Sequence, residues 1–312
     1  MKYEICADEA WTHTSPPLNR YWCFYGGIFG NEADIDRLET ALMAVRVTAG
    51  RTGEVKWSSV SAKNVAYYNE LLNVFFRHLR EHDLHYRQFF TSREHIAVRE
   101  TDEPEATTDL DIQFKLYYQF LKHCFGLQHL APASAAAPHQ ILLRLDEHSS
   151  AKHKQRLTEN AEKLPERFHP SRADIRIKTT FVRSHDFMRL QVCDLLMGAA
   201  GSYGNKKHEE RKPGKRGMHE TQRVRFDLAQ RIYADLRAIS CQERGTKAFN
   251  WFESTGHAAQ EDGLAHKVRI WKFIPRQYMI DKGWQNDHLG KGGVYQGPNI
   301  SGEVFDAAHR GR

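Results

Sequence analysis

The hydrophobic pattern of the first 92 residues alternates between continuous apolar runs and helical spacing. The runs at 2–7, 21–30 and 84–92 predict buried strands. The turn-forming segment SPPLNR lies between the first two, so we expect them to pair antiparallel. Apolar residues recur every three or four positions in 34–47 and 63–82, which predicts two amphipathic helices.

The rest of the chain continues this mixture. The further predicted elements are a helix at 113–125, a buried strand at 140–145, a charged surface helix at 151–168, a strand at 174–184, a helix at 187–200, a helix at 219–239 and a final strand at 269–275. Polar linkers are predicted at 93–111 and 130–139, and the tail from 281 is rich in Gly, Asn and His. Interleaved strands and helices favour an α/β fold, a mixed sheet flanked by helices.

Four acidic residues lie in unusually apolar surroundings. Asp8 and Asp146 each end an apolar run, Glu54 opens the segment GEVKWSSV, and Asp194 lies inside the apolar helix LQVCDLLMGA. A buried carboxylate is costly unless something positive neutralises it. Four that converge would repel one another, and divalent cations are the usual remedy. The pattern predicts a metal-dependent enzyme.

Each acid also has an ordinary structural interpretation. Asp8 could cap a helix or a turn, Glu54 could pair with a surface arginine, and Asp194 could accept hydrogen bonds from a neighbouring helix. Periodicity alone does not show that the four residues meet.

Composition narrows the class of protein. The chain has 312 residues, of which 40% are hydrophobic, enough for a packed core. It lacks an apolar stretch of roughly 20 residues and a signal-like N-terminus, so we expect a cytoplasmic protein without membrane contact. The five cysteines are scattered in apolar contexts, as expected for reduced, buried thiols.

The net charge of +6 is compatible with a polyanionic partner. Much of the excess lies in the basic run 205–217, NKKHEERKPGKRG, which we expect to be an exposed loop. Beside an acidic metal site, such a loop would guide a phosphate backbone.

The order of these motifs resembles a known family. Asp-Glu at the end of the first strand, Glu-x-Lys-Trp after the first helix, a strand ending in Asp, and Leu-Gln-x-x-Asp-Leu opening a late helix are similar to the prokaryotic domain-of-unknown-function thirty-eight-hundred family. The resemblance covers Tyr3 to Ala200. It departs from the family pattern after Asp-Glu, where Ala10-Trp11 replaces the usual Ser-Gly.

The resemblance implies a ribonuclease H-like fold, whose twisted mixed sheet carries carboxylates that bind two divalent cations, Mg²⁺ or Mn²⁺. It implies Asp8, Glu54, Asp146 and Asp194 as ligands, with a weaker claim for Glu9. Two such ions about 4 Å apart would hold a phosphodiester of DNA or RNA. Lys56 would stabilise the transition state, although a surface lysine with an extended side chain is an equal alternative.

Histidines provide further candidates. His78 and His82 lie four residues apart on a predicted helix, but a zinc site needs a third ligand, and a solvated helix end is the favoured interpretation. His148 and His185 each lie near a candidate acid and could relay protons. Walker-type, dinucleotide-binding and serine-hydrolase motifs are absent from the sequence.

We therefore predict a metal-binding core at 1–201, with the basic loop, a helix and a C-terminal extension at 202–312 packed on it. The predicted function is a divalent-metal-dependent nuclease, which the resemblance would link to prokaryotic defence or mobile-element biology. The alternative is a non-catalytic module that binds nucleic acid or protein on the same fold.

Overall fold

The computed structural model describes most of the chain. The described residues are 1–10, 19–98, 109–134, 136–147, 150–168, 172, 174–210, 217–255, 264–285 and 298–307. Trp11, His148 and residues 211–216 of the basic run lie outside them, as do parts of the polar linker and of the C-terminal tail.

Nine strands and eight helices make up the described part. The strands are β1 (Lys2–Ala10), β2 (Tyr21–Asn31), β3 (Leu84–Ser92), β4 (His95–Ala97), β5 (His139–Asp146), β6 (Ile175–Val182), β7 (Val268–Phe273), β8 (Gln277–Ile280) and β9 (Phe305–Asp306). The helices are α1 (Glu32–Thr48), α2 (Val65–Glu81), α3 (Asp109–His123), α4 (Ala151–Glu162), α5 (Leu164–Phe168), α6 (Met188–Gly204), α7 (Glu220–Arg244) and α8 (Lys282–Gln285). Single 3-10 turns occur at Trp57–Ser59, Leu127–His129 and Ser184–Asp186.

Six strands form one mixed sheet in the order β6-β5-β1-β2-β3-β7. The hairpin partners β1, β2 and β3 run antiparallel, whereas β5 and β6 run parallel to β1, and β7 runs parallel to β3. A second, antiparallel sheet has the order β4-β8-β9. The α/β class and the antiparallel pairing of β1 with β2 are therefore confirmed.

Helices cover both faces of the main sheet. One hydrophobic cluster joins one face to α1, α2, α6 and α7, with Phe24, Leu71 and Leu196 fully buried in it. The other cluster joins the opposite face to α3 and α4, around Ile5 and Phe120. Strand residues alternate between these two clusters, because successive side chains of a strand point to opposite faces.

Two predicted elements differ from the structure, and the linker predicted at 93–111 contains β4 and the start of α3. The helix predicted at 151–168 is divided into α4 and α5 at Lys163. Pro165 explains the break, since proline lacks an N–H group and its ring clashes with the carbonyl four residues earlier. The strand predicted as final is β7, but β8 and β9 follow it.

The C-terminal region contributes to the same sheet. β7 pairs with β3, and Lys267, just before β7, donates its backbone N–H to Glu243 on α7. The boundary predicted at 201/202 falls within α6, whose residues run on to Gly204.

Helix α6 is buried on nearly every side. Of its 17 residues, only Asp194, Ser202 and Tyr203 are not buried. Between them, Gly198 lies beneath Trp57: a Cβ atom built at this glycine would come within 2.2 Å of the Trp57 Cβ. Among the described helices, none is long and apolar enough to cross a membrane.

We expect Gly198→Ala to destabilise the protein by up to about 2 kcal/mol. The added methyl group must push Trp57 outward, and such overpacking costs about 1–3 kcal/mol, more than the roughly 1 kcal/mol that alanine gains in helix propensity. Urea denaturation would measure the change. Gly302→Ala is the control, because an added Cβ meets nothing within 4 Å there; equal stability of the two variants would contradict the close contact.

Candidate active site

The register of the main sheet brings Asp8 and Asp146 together. Ala7 on β1 is aligned with Leu145 on β5, so the next residues, Asp8 and Asp146, follow side by side near the C-terminal ends of two parallel strands. Neighbouring strands lie about 4.8 Å apart, and aligned residues point to the same face. Asp8 lies within β1 rather than at a helix cap or turn.

The face that carries Asp8 is the one covered by α6. Cys6, two residues before Asp8, accepts a hydrogen bond from Arg189 on α6 at 2.9 Å. Asp194 lies on the same helix, and its Oδ2 accepts a hydrogen bond from the Trp57 backbone N–H at 2.7 Å. One interpretation of the sequence was that Asp194 accepts hydrogen bonds from a neighbouring helix. The donor is instead in the 3-10 turn Trp57–Ser59.

Glu54 reaches the same place through a loop. It lies between α1 and α2, and the next residue, Val55, donates its backbone N–H to α6. Its Oε1 accepts a hydrogen bond from the Ser184 hydroxyl at 2.7 Å, and its Oε2 lies 2.9 Å from the Lys56 Nζ. The Ser184 backbone N–H donates to Asp146 at 2.9 Å, so this serine links two of the predicted acids.

Gln191 joins the two loops to α6. This residue is 1% exposed, and its Oε1 accepts from the Val55 N–H at 2.7 Å. Its amide nitrogen donates to the carbonyls of Ser184 and His185 at 2.9 and 3.1 Å. One buried amide therefore holds the segment of Glu54 against the segment of Ser184.

Glu9 differs from the other predicted acids in its orientation. Being the residue after Asp8, it points to the opposite face, where its charge helps to raise the pKa of Tyr25 and Tyr117. Burial, followed by the charge of Asp146, raises the pKa of Glu9 to about 7. Glu9 thus adds negative charge behind the site.

All three aspartates have a raised pKa. Burial is the largest cause for each, and the charges of Glu9, Asp146 and Asp194 raise that of Asp8 further. Hydrogen bonds from backbone N–H groups oppose the shift at all three. Asp8 is 7% exposed and has no ion pair within the described part of the chain.

Glu4 on the same face of β1 provides a contrast. It too is buried, but its Oε1 lies 2.6 Å from Arg189 Nη2 and 3.1 Å from Arg144 Nε. Two guanidinium groups therefore compensate this carboxylate. Asp8, four residues further along the strand, has carboxylates as its charged neighbours.

Lys56 lies close enough to the acids for their charges to act on it. Its hydrogen bond to Glu54 raises its pKa, and the charges of Glu54, Asp194 and Asp146 add to this. Burial opposes the shift at Glu54, but hydrogen bonds from Lys56 and Ser184 lower its pKa. The lysine is about half exposed. Because it is paired with Glu54, it does not serve as a counter-ion for Asp8.

The fit of these residues to a divalent cation is mixed. Carboxylate oxygens are the ligands that Mg²⁺ and Mn²⁺ prefer, and the mutual repulsion of the aspartates favours a cation among them. As the side chains stand, however, no three His, Cys, Asp or Glu residues within the described ranges are close enough to hold a metal ion. Asp146 and Asp194 each direct one oxygen to a backbone N–H instead.

The other histidine candidates do not form a metal site in the described part of the chain. His78 is 8% exposed, so the expected solvated helix end is wrong for this residue, which lies on the inward face of α2 beside Leu79. His185 lies close enough to Glu54 to help lower its pKa, whereas His148 is outside the described residues.

Sequence reasoning assigned no role to Ser184 or to Gln191. Ser184 follows β6 as Asp8 and Asp146 follow apolar runs, and this position beyond a strand end was the available signal. Gln191 lies one turn before Asp194 on an apolar helix, where a buried amide requires hydrogen-bond partners.

Without divalent metal, we expect Asp8→Asn to stabilise the folded protein at neutral pH. A raised pKa means that folded Asp8 binds more protons than unfolded Asp8, so stability falls as pH rises from about 4 through the folded-state pKa. Asparagine removes this penalty and still accepts the Glu9 N–H bond. The gain should be on the order of 1 kcal/mol, measurable by denaturation in EDTA at several pH values.

Asp36→Asn is the matched control, since Asp36 is an exposed residue of α1. It should leave the pH dependence of unfolding unchanged. A loss of stability in Asp8→Asn in EDTA would show that the aspartate is compensated in the folded protein.

No model of a known protein family matches the chain, and no curated protein matches it. The function is therefore inferred from the residues of the site.

Proposed function

We propose that this protein is a divalent-metal-dependent nuclease with a ribonuclease H-like fold, which hydrolyses phosphodiester bonds of DNA or RNA. The proposal rests mainly on the three aspartates Asp8, Asp146 and Asp194, which converge from two parallel strands and a buried helix. Each of these aspartates has a raised pKa. Perturbed carboxylates grouped beyond strand ends are typical of functional sites in α/β proteins.

The arrangement of the main sheet supports the fold assignment. β1 lies in its interior, with the antiparallel strands β2 and β3 on one side and the parallel strands β5 and β6 on the other. The acids lie where β1 and β5 end and α6 crosses.

Each acid has a role in this proposal. Asp8, Asp146, Asp194 and Glu54 would hold the two cations. When bound, the two cations neutralise phosphate charge and promote attack by water. Ser184 and Gln191 would keep the loops of Asp146 and Glu54 at a constant separation, through bonds of 2.7–3.1 Å.

Lys56 would stabilise charge that develops on the phosphodiester. Its ammonium group is about half exposed and paired with Glu54. From there it would donate a hydrogen bond to a phosphate oxygen of the substrate.

One observation favours the alternative, a non-catalytic module. The described acids do not form a ready ligand group as they stand. If the protein is a nuclease, small rotations of the aspartate side chains would bring the acids close enough to hold cations. If it is a non-catalytic module, the acids would stay apart. Metal binding distinguishes the two.

We expect the protein to bind Mn²⁺ and to cleave nucleic acid only when the metal is present. Asp146→Asn should weaken Mn²⁺ binding and slow cleavage by at least about 100-fold, because even groups that merely orient a ligand contribute 10–100-fold. Calorimetric titration with Mn²⁺ and cleavage of labelled DNA and RNA would measure both quantities.

The exposed-site variant Asp36→Asn should bind and cleave like the wild type. If the wild type binds no Mn²⁺, or if Asp146→Asn binds it equally well, the metal centre is not at these residues. Binding without any cleavage would favour the non-catalytic module.

Lys56→Met should have opposite effects on metal binding and on rate. Loss of the ammonium group removes repulsion and should tighten Mn²⁺ binding by up to about fivefold, while cleavage should slow by about 10- to 100-fold. Lys56→Arg should restore part of the rate. Lys63→Met, an exposed lysine of the same loop, is the control; unchanged cleavage in Lys56→Met would leave the lysine as an ordinary surface residue.

A further inference from the structure

A cavity of about 370 Å³ lies beside the acidic site. Ser202 and Tyr203, the other residues of α6 that are not buried, line it together with Trp57 and Phe226. Asp194, Gly198 and Ser202 follow one another at four-residue intervals, so they share one face of the helix over roughly 12 Å. The cavity and the acids therefore occupy one strip of α6, divided by Trp57 above Gly198.

The walls of this cavity are aromatic. The Tyr203 and Phe226 rings are nearly parallel, with centroids 6.0 Å apart and an interplanar angle of 8°. The His208 ring stacks on Phe226 at 4.1 Å, and Trp57 forms the wall towards Asp194. Aromatic side chains are the groups on which the bases of single strands stack, whatever their sequence.

Two basic side chains, Lys207 and Arg225, line the same opening together with His208. Lys207 and His208 belong to the basic run predicted to guide phosphates. Glu210 also lines the opening and pairs with Lys207 at 2.7 Å, which keeps part of this charge compensated. The combination of ring faces and cations is complementary to a nucleotide, whose base is flat and whose phosphate is anionic.

The wall next to the acids is held in place. Arg225 on α7 donates hydrogen bonds to the carbonyl of Ser58, within the turn that carries Trp57, and to that of Val60, just after it. The Trp57 N–H in turn binds Asp194. The cavity is thereby connected to the acidic site through a single rigid turn.

We propose that this cavity, the base pocket, receives an unpaired base of a single-stranded nucleic acid whose neighbouring phosphate lies at the acids. This inference rests on the proposed function and specifies its substrate as single-stranded. A paired base cannot enter, because its faces are covered by its neighbours in the duplex.

Binding in EDTA tests the base pocket separately from catalysis. Fluorescence anisotropy would compare labelled oligothymidylate, an abasic oligonucleotide of equal length, and a duplex. We expect the wild type to prefer oligothymidylate over the other two by about tenfold or more. Phe226→Leu, which keeps the apolar volume but removes the ring, and Ser202→Phe, which fills the cavity, should each abolish this preference.

Phe249→Leu is the matched control, because Phe249 packs on Tyr233 outside the cavity and should not change the preference. The base pocket is overturned if the wild type binds none of the three, if it binds them equally, or if neither cavity variant changes the preference. If the wild type prefers oligothymidylate but shows no Mn²⁺-dependent cleavage, the nuclease proposal is rejected and the base pocket stands. If it cleaves without this preference, the base pocket is rejected and the nuclease proposal stands.

Discussion

Repulsion among carboxylates that are wholly or partly buried is the constraint on which the site depends. Asp8 lies against Asp146 because two parallel strands are in register, and α6 brings Asp194 to the same face. Burial and neighbouring negative charge raise the pKa of Asp8 well above its usual range. Glu4, on the same strand face, has two arginines instead. The charge of Glu4 is therefore compensated within the protein, whereas that of Asp8 is not. An uncompensated carboxylate next to other carboxylates favours the binding of a cation.

Backbone groups and neutral side chains hold this arrangement. The Trp57 N–H positions Asp194, the Ser184 N–H and hydroxyl position Asp146 and Glu54, and Gln191 joins their loops. Neutral donors orient carboxylates and leave their negative charge in place, whereas an arginine would cancel it. The same turn at Trp57 separates the acids from the aromatic base pocket, so one element shapes both neighbouring sites.

Much of the fold was predictable from local patterns. The strands around Ile28 and Leu143 are continuous apolar runs, and α2 has a regular apolar face, so burial and element type follow from the sequence. The division of the 151–168 helix required attention to Pro165. The pairing of β7 with β3 joins residues about 180 positions apart, and local periodicity carries no information on such contacts.

The sequence by itself determined which carboxylates are unusual, because an acid inside an apolar run or an apolar helix is visible without coordinates. It determined that Asp8, Asp146 and Asp194 would be partly desolvated. Only the tertiary structure decided that they share one face, that Glu9 points to the other, and that Ser184 and Gln191 tie the loops together. Sheet register and helix packing set these relations, and both depend on contacts between residues far apart in the chain.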